Sequence, residues 1–138
     1  MIGLDTNVLA RYYIQDESDL EATRQHEVAR RLIESGKPLM VSKTVLLELE
    51  WVMRGYYGFA PAEIAGTLRH LLSLSHMVVE DRGEVERALA NADAGLEFAD
   101  ALHLASYLTC DGVASFDDRK FARRARRKGL MPRIFVPD

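Results

Sequence analysis

Asp5, Glu48, Asp100 and the adjacent pair Asp117/Asp118 are acids set in or against apolar stretches of the sequence. Carboxylates gathered with nothing between them repel and raise one another's pKa. A divalent cation removes that conflict, and a set of hard oxygen donors selects Mg²⁺ or Mn²⁺ over softer metals. Each acid also has a plainer reading. Asp5, in Asp5-Thr6-Asn7, is placed to cap a following helix, and Asn7 to make a local turn bond. Glu48 lies in a segment that is apolar nearly all round, where the alternative is an ion pair with one of the arginines. At about 100° per residue, Glu48 falls between Trp51 and Val52, whereas Glu50 falls towards Arg54, so Glu48 is expected to be the partly buried acid and Glu50 the solvent-facing one. Asp100 is the lone acid of an apolar segment, where it can cap a helix, bind a cation, or do both. Of Asp117 and Asp118, one is expected to face the site and the other to cap the next helix. Asp117 ranks first because it directly follows an apolar run, with Asp118 close behind. His103 makes an Asp-x-x-His pair with Asp100, but no second pair of that kind occurs, and His26, His70 and His76 have no ligand spacing.

Short apolar runs that alternate with longer helical patterns must position these acids. Strands are expected at residues 2–4, 39–41, 77–79, 113–116 and 134–136, and helices at 19–35, 44–57, 61–73, 84–94, 98–108 and 119–128. Pro61 suits a first helical turn, while Gly36 and Gly129 suit stops. Strands separated by helices imply right-handed parallel crossovers, hence an α/β class: a three-layer α/β/α sandwich with a central parallel sheet of about five short strands. With no repeat, low-complexity tract or linker, residues 1–138 read as one domain. Ligands of open parallel sheets bind beyond the carboxyl ends of the strands, which is where Asp5 and Asp117 fall.

The 138 residues carry a formal net charge of −3, which argues weakly against a nucleic-acid partner. Seven of the 18 basic residues nevertheless fall between Arg119 and Lys128. On a helix, Phe121, Ala122 and Ala125 would face inward while Arg119, Lys120, Arg123, Arg124 and Arg127 reach outward to phosphate, the alternative being a merely solvated face. Cys110 has no partner for an internal disulfide and is expected to be a buried thiol. The N-terminal residues do not read as a signal peptide and no run is long enough to span a membrane, so a cytoplasmic protein is expected.

Four ordered pieces, IGLDTNVL, LLELEWVM, FADALHLA and VASFDDRKFARRA, are spread along essentially the whole chain. In order and spacing they resemble the PIN-domain ribonucleases, and among them the VapC-like toxins of bacterial toxin–antitoxin pairs. The resemblance implies that Asp5, Glu48, Asp100 and the aspartate of Ser115-Phe116-Asp117 are metal-binding acids supported by Thr6, Asn7 and Ser115. It further implies an endoribonuclease dependent on Mg²⁺ or Mn²⁺, products with a 5′-phosphate and a 3′-hydroxyl, a cognate antitoxin and a homodimer. One departure stands out. The family usually has an aromatic residue before this Asp and a Phe three positions after it, but here Asp117 satisfies the first relation and Asp118 the second.

No Ser/His/Asp or Cys/His arrangement offers a covalent nucleophile, which agrees with direct attack by water. A receiver domain or a phosphatase would also place acids at strand ends. The late-strand lysine of the one and the Asp-x-Asp of the other are missing. The remaining alternative is a non-catalytic nucleic-acid-binding module that uses the helix at 119–128 and whose acids are structural.

Overall fold

A computed structural model describes residues 1–138, except the side chain of Asp118. The chain divides into two compact units, Met1–Glu80 and Asp81–Asp138.

In the first unit, strands β1 (Ile2–Gly3), β2 (Leu39–Val41) and β3 (Met77–Val79) form a parallel sheet in the order β1-β2-β3. Ile2 pairs with Leu39, and Leu39 in turn with Met77. The period of two is visible in β2 and β3, where Leu39, Val41, Met77 and Val79 are buried and Val78 is exposed. Four helices connect and flank the strands: α1 (Thr6–Tyr13), α2 (Leu20–Ile33), α3 (Lys43–Trp51) and α4 (Pro61–Ser73). Their starts follow from local chemistry. Asp19 Oδ1 accepts from the amides of Glu21 and Ala22 to cap α2, and Ser42 Oγ accepts from the Val45 amide to cap α3. Pro61 opens α4 while Glu63 reaches back to the Ala60 amide. Helix α3 runs into a π-helical turn over Val52–Tyr56. Leu9, Ile33, Leu46, Leu49, Met53, Leu68 and Leu71 are almost wholly buried.

In the second unit, α5 (Arg82–Asp93) and α6 (Phe98–Ser106) pack together across a turn at Gly95, whose φ of 110° suits a residue without Cβ. Strand β4 (Val113–Ala114) pairs in parallel with β5 (Ile134–Phe135), with Val113 against Ile134. Between them lie a π-helical turn over Asp118–Ala122 and α7 (Arg123–Arg127).

All five expected strands are therefore present and their pairings are parallel, three strands in one unit and two in the other. Helix α1 lies where no helix range was expected. Cys110, expected to be buried, is exposed, because α6 ends at Ser106 and leaves the thiol in the turns that follow. Among the described residues, no helix is long and apolar enough to cross a membrane.

Candidate metal centre and basic face

Asp5 lies just beyond the first strand: the Leu4 amide still donates to the Met40 carbonyl, and the next residue turns the chain into α1. Asp5 is the N-cap, its Oδ1 accepting from the Thr6 amide at 2.8 Å. Thr6 is only 7% exposed, and its Oγ1 donates to Glu48 Oε2 at 3.0 Å, which ties the start of α1 to α3. Both acids thus have one oxygen held by the chain, while Asp5 Oδ2 and Glu48 Oε1 make no hydrogen bond among the described residues.

The burial expected for Glu48 and Glu50 is reversed. Glu50 is 7% exposed and pairs with Arg54 at 2.7 Å, whereas Glu48 is exposed. The buried stripe is Leu46, Leu49, Glu50 and Met53, a helical i, i+3, i+4, i+7 series. Trp51, used to orient the helix, is 61% exposed and therefore marks the outer side. Glu48 keeps its place in the candidate set through Thr6 rather than through burial.

In the second unit, Asp100 sits in the first turn of α6 and is half-buried. It makes no hydrogen bond or ion pair among the described residues. Burial pushes its carboxyl above the ordinary carboxylate range, and the negative charges of Glu97 and Asp117 push it the same way against the weaker pull of His103 and Arg124. Glu97 is a contributor that sequence reasoning overlooked, although its spacing of three residues from Asp100 places both acids on one side of the same turn. Asp117 is exposed and is itself the cap of the turn that follows, its Oδ1 accepting from the Lys120 amide at 3.0 Å. That is the role expected of its neighbour, yet Asp117 Oδ2 makes no hydrogen bond among the described residues. Ser115 Oγ accepts from the Asp117 amide at 3.0 Å, so Ser115 does support this acid. The alternative, Asp118, has its side chain outside the described residues.

Carboxylate oxygens, which both units offer, are the donors that a hard divalent cation takes. Asp5, Glu48 and Asp117 are each steadied through one oxygen with the other open, as outer hydrogen bonds steady metal ligands. Asp100 is a half-buried acid that forms no ion pair among the described residues. Among the described residues, however, no group of three or more His, Cys, Asp or Glu side chains is gathered closely enough to hold an ion.

The basic segment is arranged as its pattern suggests. Phe121, Ala122 and Ala125 are buried, while Arg119, Lys120, Arg123, Arg124, Arg126, Arg127 and Lys128 are exposed.

The chain matches the PIN domain family over residues 2–127. It belongs to that family of nucleases, and so to its α/β fold class. A solved structure that it resembles is the VapC20 toxin of Mycobacterium tuberculosis, described as cleaving the sarcin-ricin loop; the identity is 21%, the TM-score 0.43, and the alignment covers 100% of this chain and 90% of that one. No curated protein matches.

Proposed function

We propose that this PIN domain is an endoribonuclease that hydrolyses RNA phosphodiester bonds with Mg²⁺ or Mn²⁺, as the toxin of a toxin–antitoxin pair in the cytoplasm. Asp100 carries the reading: a half-buried carboxyl facing two further negative charges, against which His103 and Arg124 pull more weakly, and without a hydrogen bond among the described residues, is a group that a divalent ion would stabilise. Asp5, Glu48, Asp100 and Asp117, or Asp118 in its place, are the proposed ligands. When bound, the ion polarises the scissile phosphate and lowers the pKa of the attacking water. The chain's own part is to hold the acids in place: Thr6 fixes both Asp5 and Glu48, and Ser115 with the Lys120 amide fixes Asp117.

The purified protein is expected to cleave single-stranded RNA in Mg²⁺ or Mn²⁺, to stop in EDTA, and to gain thermal stability as Mn²⁺ is titrated in. RNA binding with neither turnover nor Mn²⁺ stabilisation would instead establish the non-catalytic binding module, a reading favoured by the lack of a compact three-donor cluster among the described residues. Thr6→Val, which keeps the side-chain shape and removes the Oγ1 donor, is expected to weaken Mn²⁺ binding roughly 10- to 100-fold, the range for lost outer-shell partners. Isothermal titration with Mn²⁺ checks this.

The exposed basic residues Arg119, Lys120, Arg123, Arg124 and Arg127 are proposed to contact the RNA backbone. A logarithmic plot of affinity against salt should then be steep, and each Arg→Gln change should reduce its slope by about 1. A salt-independent affinity would remove this face from the substrate path. By the same resemblance, an antitoxin and a second copy of the chain are the expected protein partners. Trp51 and Tyr56, 61% and 76% exposed, are available to such an interface, whereas Met53 is core. Co-expression with a neighbouring small gene, followed by size-exclusion chromatography, tests both partners.

A further inference from the structure

Within the first unit, α1 and α2 border a cavity of about 310 Å³ that begins at Asn7, two residues beyond Asp5. Val8, Val28 and Leu32 give it an apolar wall, and Arg11 and Arg24 also line it. One acid organises both guanidinium groups. Glu21 Oε1 accepts from Arg24 Nη2 at 2.7 Å and from Gln25 Nε2 at 3.1 Å, and Gln25 Oε1 in turn accepts from Arg11 Nε at 2.8 Å. The backbone beneath is held as well, since His26 Nδ1 donates to the Arg11 carbonyl at 2.8 Å.

Two cations share one carboxylate in this network, leaving an excess of positive charge at the cavity. Arg11 is half-buried, and its two terminal Nη groups make no hydrogen bond among the described residues. A guanidinium held at Nε, with its outer fork open, is preorganised for two-point contact with a phosphate. The Asn7 side chain likewise makes no hydrogen bond among the described residues, so its amide can offer a donor and an acceptor to a base edge. The volume lies at the lower end of small-ligand sites, which run from roughly 300 Å³ upward, a fit for one nucleotide unit rather than a folded partner.

We infer that this cavity is a nucleotide subsite for the substrate RNA, with a backbone phosphate on the Arg11 fork, Arg24 adding positive charge beside it, and a base against Val8, Val28 and Leu32. The inference rests on the ribonuclease reading above and extends it to RNA flanking the cleaved bond. Single-stranded RNA is the form required, because only an unstacked base can enter such a cavity.

The test compares the wild type with Arg11→Ala, Arg11→Lys and Arg24→Gln, using a short fluorescein-labelled single-stranded RNA of random sequence. Binding is read by anisotropy in EDTA and cleavage by gel in Mn²⁺. Arg11→Ala should weaken binding about tenfold, the loss of one charge-assisted contact, and lower the salt slope by about 1. KM should rise while kcat and the Mn²⁺-induced thermal shift stay at wild-type values. Arg11→Lys should recover only part of the affinity, because it restores the charge without the fork. Arg24→Gln alters an exposed side chain and supplies the measurement if Arg11→Ala does not fold.

Wild-type affinity and salt slope in all three variants, beside normal wild-type cleavage, would overturn the subsite alone. Loss of antitoxin binding by Arg11→Ala with unchanged RNA affinity would overturn it too, by making the occupant a protein. Absence of Mn²⁺-dependent cleavage by the wild type would instead overturn the ribonuclease reading on which it rests.

Discussion

Asp100→Asn is expected to lower RNA cleavage by roughly 10²- to 10³-fold, the scale of losing a group that stabilises transition-state charge. The same change should make the metal-free protein more stable. Burial, and after it Glu97 and Asp117, raise the folded-state pKa of Asp100, so between the ordinary carboxylate value and the raised one the folded chain holds a proton that the unfolded chain has released. That contribution to stability is fully present below the ordinary value and is lost as pH rises through the raised one. At neutral pH the wild type therefore bears an ionised carboxylate in a place that disfavours it, and asparagine does not. Asp100 keeps much of its contact with water, so the gain is small, about 2 °C in Tm for a domain of this size. Melting curves in EDTA should show the difference at neutral pH and its disappearance below the ordinary carboxylate range. On the proposed role of Asp100 as a ligand, Mn²⁺ should reverse the order. A fully active Asn variant, or one less stable in EDTA at neutral pH, would remove Asp100 from the centre.

The parts of this protein most legible from sequence are those in which one physical signal dominates. Helix α4 begins and ends where expected because Pro61 fixes its first turn, and β2 and β3 are found residue for residue because each is a short apolar run with polar neighbours. The basic face was equally legible, since only Phe121, Ala122 and Ala125 could turn inward. Helix α1 escaped delimitation because Leu9 and Thr6 are its only fully buried positions, too few for a periodic pattern over Thr6–Tyr13. Among the acids, the positions of Asp5 and Asp117 after strands followed from the pattern, but their capping bonds to Thr6 and Lys120 depend on backbone geometry that the pattern does not carry. Glu97 precedes the apolar segment and reads in the sequence as a plain helix-start residue. Its charge matters only because it reaches Asp100.

Substitutions in helix α3 are expected to give the largest stability effect. Leu49→Ala should destabilise the protein by about 3 kcal/mol, because Leu49 is wholly buried and its removal leaves a cavity. Glu50→Ala should cost about 1 kcal/mol, well short of the roughly 3–5 kcal/mol for breaking a fully buried ion pair, because Arg54 remains 53% exposed and can return to water. Glu48→Gln, on the exposed side, should change stability by no more than about 0.5 kcal/mol yet lower Mn²⁺-dependent cleavage roughly 100-fold. The rotation read from apolar residue types alone predicts the opposite order, with Glu48 structural and Glu50 indifferent. That reading treats Trp51 as core, and an indole left 61% in solvent cannot define the buried side. Urea denaturation of the three variants beside their cleavage rates separates the two orientations. A Glu48→Gln protein that is strongly destabilised but normally active would refute both the assigned face and the role of Glu48 as a ligand held by Thr6.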